Sequence, residues 1–113
     1  MMKKIVFTFF ILIPFTLLAQ TDYAVIDAKS KTVPSSLRTS SEIAKYLTKD
    51  IKTDKGKARA IYIWIAHNIR YDLSLINKNI NFLSDKEVVE YALSKRKGIC
   101  MHYAALFLEM CKT

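Results

Sequence analysis

From Ser40 onward the apolar residues recur every three or four positions, between residues that start and stop helices. This periodicity constrains the chain more than any other feature. It asks for a set of helices with one apolar face each, and no convincing run of strands accompanies it. The first helix is expected to begin at Ser40 or Ser41 behind a serine cap, to bury Ile43, Ala44 and Leu47, and to end near Asp50. The next starts behind Thr53 or Asp54. Its spacing predicts a buried face of Ala58, Ile61, Tyr62, Ile65 and Ile69, with Trp64 widening the arc and Gly56 tolerated in the first turn. Leu73 to Leu83, with Asn77, Asn79 and Asn81, is expected to be a loop.

Ser84-Asp85-Lys86-Glu87 then has the serine and the glutamate of a capping box. The helix it opens should bury Val88, Val89, Ala92 and Leu93. Lys95, Arg96 and Lys97 complement the negative end of its dipole, and Gly98 is a natural stop. A last helix should open at or next to Cys100, with Tyr103, Ala104, Phe107, Leu108 and Cys111 as its buried stripe and Ala105 and Met110 at the margins. It is apolar on several sides, which predicts a central position. Upstream of all these, Asp22 to Asp27 is a short apolar stretch of undecided state. Lys29 to Ser40, polar and containing Pro34, reads as irregular.

The N-terminus has the three parts of a secretory signal. Lys3 and Lys4 are its positive region, Ile5 to Leu18 its apolar stretch, and Leu17-Leu18-Ala19 its cleavage site, so residues 1–19 are expected to be removed and the protein exported. The apolar run is shorter than the roughly 20 residues that span a bilayer as a helix, and Pro14 interrupts it. The competing reading is an uncleaved signal anchor. After cleavage no stable membrane span is expected, and residues 20–113 are long enough for one small domain and no more. The formal charge of +8 belongs partly to Lys3 and Lys4. What remains is basic, but export and the lack of a nucleic-acid motif point to a solvated basic face rather than to nucleic acid.

Two cysteines in an exported chain raise the question of a disulfide. Cys100 and Cys111 on one helix would lie about 16 Å apart along its axis, far beyond the roughly 7 Å between Cα atoms that a disulfide spans. They are expected to stay unpaired. Cys100, behind Gly98-Ile99 and at the head of an apolar helix, is the candidate nucleophile: open amides and the positive dipole end favour a thiolate there, and Lys95, Arg96 and Lys97 are placed to add positive potential. His102 follows two residues later, about 200° round the helix, and should point away. His67 is expected in a solvent or interhelical role, Asp72 in a cap or turn, and Tyr62 and Trp64 as core anchors. Two histidines and two cysteines without compact spacing do not make a zinc site, and no cofactor is called for.

Gly98-Ile99-Cys100 with Tyr103-Ala104 and Leu106-Phe107 resembles the nucleophile segment of the transglutaminase-like superfamily. Lys57 to Ile65, running on through Asn68-Ile69-Arg70-Tyr71-Asp72, is similar to the helix that precedes it in bacterial members. The resemblance covers Ser41 to Thr113. It implies an α+β, papain-like fold in the full family, of which this chain is mainly the α-helical N-terminal half. It implies further that Cys100 is the nucleophile of a Cys-His-Asp acyl transfer on a protein or peptide, as in transglutaminases, proteases or amidases. The family's histidine and aspartate follow on later strands, so the expectation is a domain truncated before them. A reading from a different class is a non-catalytic binding or scaffolding domain, or a decayed gene product, in which Cys100 is a relic or a core residue.

Overall fold

The structure is a computed structural model that describes residues 23–81 and 84–113. The expected signal peptide and its cleavage site lie outside the described residues, as do the last two positions of the loop expected before Ser84. A helix over residues 23–30 (α1) is followed by an irregular connection and by α2 (Ser40–Thr48) and α3 (Asp54–Asn68). A two-residue strand β1 (Arg70–Tyr71) leads into a 3-10 turn at Leu73–Leu75. Then come α4 (Asp85–Lys95), a two-residue strand β2 (Lys97–Gly98) and α5 (Cys100–Cys111). The architecture is mostly helical. Its one sheet, among the described residues, is the parallel pair β1–β2, with Arg70 opposite Lys97 and Tyr71 opposite Gly98.

Each helix start has a chemical cause. α2 is capped by Thr39 rather than by a serine. The Thr39 hydroxyl accepts from the Glu42 amide at 3.2 Å, and the Glu42 carboxylate accepts from the Thr39 and Arg38 amides at 3.1 Å each. Thr39, Ser40 and Ser41 are all competent caps; the glutamate three residues after Thr39 decides between them. Thr53 caps α3, its hydroxyl accepting from the Gly56 amide. Ser84 caps α4 in the same way toward Glu87, as its spacing predicts.

The core gathers the inner faces of the helices. Ile43, Ala44 and Leu47 come from α2, Ala60, Ile61, Trp64 and Ile65 from α3, Val89 and Ala92 from α4, and Leu106 and Met110 from α5. Trp64 is the largest of these side chains, and removing a buried aromatic of this size costs about 3–5 kcal/mol. Tyr62 is not in the core: it is 62% exposed. The segment Ile61 to Ile65 is apolar at every position, so two neighbouring arcs compete. Burying small Ala60 brings the helices close and puts Trp64 inside, which turns the Tyr62 phenol to solvent.

The stripe of α5 is also rotated from expectation. His102, Leu106 and Met110 are its buried line, at four-residue spacing, while Ala104, Leu108 and Cys111 are exposed and Tyr103, Ala105 and Phe107 lie between. α5 packs against α2, α3 and α4 on this side. Among the described residues it is therefore not enclosed all round. The pattern was misphased because a histidine heads the buried line. α1, undecided from sequence, is tied down by charge. The Arg59 guanidinium donates to both oxygens of Asp27 at 2.8 and 2.7 Å and lies over the Tyr23 ring.

Candidate active site at the head of the last helix

The connection from α4 to α5 is four residues long, and each is fixed by a different contact. Arg96 ends α4 in the left-handed conformation, with φ 54°. That region suits glycine, and the glycine expected to stop the helix stands two positions later. The Arg96 guanidinium lies over the Trp64 ring, 5.0 Å from its centre, so the residue that bears the backbone strain is also held by the core. Its carbonyl accepts from the Arg70 amide, and the Gly98 carbonyl accepts from the Asp72 amide at 2.9 Å. These bonds stitch the connection to β1.

Gly98 has no left-handed backbone. It is required for another reason. A Cβ on it would lie 2.5 Å from Cβ and Cγ of His102, closer than such atoms approach. Ile99 is extended and serves as the N-cap of α5, and Cys100 is the first helical residue. The Cys100 thiol is free and exposed. Of the amides that open α5, that of Ile99 donates to His102 Nδ1 at 3.1 Å, and that of His102 donates to the Ile99 carbonyl at 2.9 Å. The amides of Cys100 and Met101 belong to the open first turn of the helix.

Around this turn the polar groups are committed. Asp72 caps the 3-10 turn, accepting from the Ser74 amide at 3.0 Å and its hydroxyl at 2.6 Å, and the Lys97 ammonium sits 3.3 Å from its other oxygen. The Ser74 hydroxyl above all, with the amide and Lys97 adding, holds this carboxyl below the usual carboxylate range. The Tyr103 hydroxyl donates to the Ile69 carbonyl at 2.6 Å and fixes α5 to the end of α3. A small cleft of about 230 Å³ opens between Arg70, Tyr71, Asp72 and Lys97. A larger groove of about 850 Å³ lies elsewhere, between the segment around Arg38 and the outer face of α4, and Cys100 does not line it.

The expected site residues are thus partly brought together. Cys100 stands at the helix start as predicted. The basic run does not gather at its thiol as expected: Arg96 turns onto Trp64 and Lys97 pairs with Asp72. His67 is exposed on α3. His102 is fully buried and its ring turns into the core, with the Tyr91 ring of α4 tilted against it, centroids 5.1 Å apart. Sequence reasoning missed its bond to Ile99. The signal for it was present: the acceptor stands three positions after the cap, the spacing of a capping box. Among the described residues no group of three potential ligands could hold a metal ion, and no helix is long and apolar enough to cross a membrane.

Residues 41–113, from α2 through the cysteine helix to the last residue, match the family described as the transglutaminase-like superfamily. The chain belongs to this superfamily. It is 33% identical over 73 residues to the kyphoscoliosis peptidase of Homo sapiens, a match that covers 63% of this chain and 10% of that protein. It is 32% identical over 87 residues to the kyphoscoliosis peptidase of Mus musculus, covering 75% and 12%. The chain therefore spans about a tenth of the length of the curated relatives it matches. No solved structure matches it.

Proposed function

We propose that Cys100 is the nucleophile of an acyl-transfer or amide-hydrolysing site acting on a protein or peptide, on the helical half of an α+β, papain-like domain. The observation that carries this reading is the placement of a free, exposed thiol at the first position of α5, inside the segment that matches the superfamily. In this reading the thiolate attacks an amide carbonyl. The sulfur–carbon bond forms as the carbonyl π electrons move to oxygen. The open amides of Cys100 and Met101 are suited to stabilise that oxyanion. Collapse expels the amine, which needs a proton, and leaves an acyl-enzyme that water or a second amine resolves. Neither histidine of the sequence is placed to supply that proton, so the reading assigns Cys100 alone. The peptidase named among the relatives supports an amide as the substrate bond.

A second reading, in keeping with a His102 that is buried and bonded to the Ile99 amide, is a binding or scaffolding domain that keeps the fold without turnover. The two separate by chemistry. Iodoacetamide at neutral pH should label Cys100 roughly tenfold faster than Cys111, since the two ends of a helix differ by about 1–2 kcal/mol in their preference for a negative charge. Equal rates, read by mass spectrometry on the folded protein, would remove the nucleophile assignment. Cys100-dependent amine incorporation or peptide hydrolysis, lost in Cys100→Ala, would exclude the non-catalytic reading.

Residues 1–19 support export as the setting of this activity, with a positive start, an apolar stretch and acceptable residues, Leu17 and Ala19, at the −3 and −1 positions of the cleavage site. N-terminal sequencing of the product recovered outside the cytoplasm should begin at or within a few residues of Gln20. A mature soluble protein that keeps Met1 in the cytoplasm would contradict export and leave the chemistry at Cys100 untouched.

A further inference from the structure

We propose that His102 is a positioning residue for Cys100: its imidazole is the N-terminal cap of α5 and fixes the turn from which the thiol emerges. The proposal deepens the reading of Cys100 as the nucleophile and rests on it for its functional consequence; the capping geometry stands by itself. Three observations converge. Ile99 is the N-cap residue and has no side chain that can cap, yet its amide is satisfied by His102 Nδ1 at 3.1 Å. The ring is fully buried, held between Tyr91 of α4 and the backbone at Gly98. Gly98 lacks the one atom that would exclude it, since a Cβ there would meet His102 Cβ and Cγ at 2.5 Å.

The choice of histidine has a physical reason. In a capping box the third helical residue is a glutamate or glutamine that reaches back to the cap amide. A glutamate at position 102 would carry its charge into the core, where an ion is costly. A neutral imidazole accepts the same bond without that cost. An acceptor Nδ1 places the ring hydrogen on Nε2, and burial pushes the histidine below its usual titration range, which keeps Nδ1 an acceptor. With Ile99 held extended, the first turn of α5 begins at residue 100 and nowhere else. The thiol and the amides of Cys100 and Met101 then face outward together. If the bond were lost, α5 would fray from its first turn, and the thiol would leave the helix end that favours its charge.

The test compares two substitutions at one site. His102→Leu fills similar space and cannot accept a hydrogen bond. His102→Gln supplies the acceptor that capping boxes use at this position. Two quantities are read on each purified protein: exchange of the Ile99 amide by NMR, and the ratio of Cys100 to Cys111 alkylation. Leu should speed Ile99 exchange at least about fivefold, the effect of one lost hydrogen bond, and bring the two cysteines to similar rates. Gln should return both quantities to within about twofold of the natural protein. Equal exchange in the Leu and Gln proteins would show that the ring only fills volume and would overturn the proposal. Should either variant fail to fold, long-range nitrogen–proton correlation on the natural protein decides. An unprotonated Nδ1 with the hydrogen on Nε2 supports the cap, and a protonated Nδ1 overturns it. Restored Ile99 protection together with equal cysteine rates in the natural protein would keep the cap and sink the nucleophile reading instead.

Discussion

The two ends of α5 carry the same chemical group in opposite surroundings. Cys100 and Cys111 are both free and both exposed. At the first end the backbone offers amides, the preceding residues are stitched to β1, and a buried ring caps the turn. At the second end it offers carbonyls, and the side-chain contact of note is Lys112 beside Glu109 at 3.3 Å. Neighbouring helix surface takes water from the Cys111 thiol and pushes it above its usual titration range. Cys111 was expected in the buried stripe of this helix; it is exposed instead, at the end where the carbonyls lie. In the proposed reading it is the place on the helix that sets the two cysteines apart and not their exposure, which they share.

Removing the helix's anchor should erase this difference. Leu106 is fully buried midway between the cysteines, and Leu106→Ala should cost about 2–5 kcal/mol, seen as a lower denaturant midpoint. Near that midpoint the two thiols should react at similar rates. An unchanged midpoint would mean that α5 does not depend on the core described for it. A smaller and one-sided effect is expected from Gly98→Ala. The added methyl must push into His102, at about 1–3 kcal/mol for an overpacked site. Thermal unfolding should register the loss, and alkylation should slow at Cys100 while Cys111 keeps its rate. Slowing at both would show that the perturbation spreads along the whole helix.

Acid should give the smallest effect, again at the first end. Asp72, through Lys97, helps hold the strand that leads to Cys100, and its carboxyl titrates below its usual range because of Ser74 first and Lys97 after. The folded state thus binds fewer protons at this group than the unfolded chain does. Its contribution is complete above the unfolded value of about 3.9 and is lost as pH falls through the folded value. Protection of the Asp72 and Gly98 amides, taken relative to their intrinsic exchange at each pH, should fall on acidification before that of Glu109 to Cys111 does. Asp27 and Glu42 are also held low, on α1 and at the cap of α2, so Asp72→Asn serves as the control. An acid loss of protection at Asp72 and Gly98 that is the same in Asp72→Asn would assign the sensitivity to those other carboxylates.

What was legible in the sequence was local. The caps at Thr53 and Ser84 and the start of α5 at Cys100 each depend on a few adjacent residues, and all three stand where the spacing places them. The contents of the helix faces were less legible, because periodicity finds an arc only to within one neighbouring row. Trp64 is buried on α3 as expected while Tyr62, expected beside it in the core, faces solvent, and a buried histidine displaced the stripe of α5. The contacts that define the site were not legible at all. Arg96 on Trp64 and the β1–β2 pair join positions 32 and 27 residues apart, and the Asp27–Arg59 bond that holds α1 is as distant in sequence. No short-range pattern encodes them. Gly98 shows the limit most clearly: its presence was readable as a helix stop, and its purpose was room for a ring.

The β1–β2 seam has a consequence for how this architecture varies. Arg70 and Lys97 sit side by side, so everything between them leaves from and returns to one place. The 3-10 turn, the asparagine-containing segment after it and α4 form a closed excursion pinned at its neck. Lengthening such an excursion at its exposed segment, from Asn77 to Asn81, moves neither side of the neck, and each doubling of a loop costs only about 0.6 kcal/mol. The head of α5 is therefore insulated from the length of the chain that precedes it. New surface can be grafted at this point while the thiol itself stays where it is.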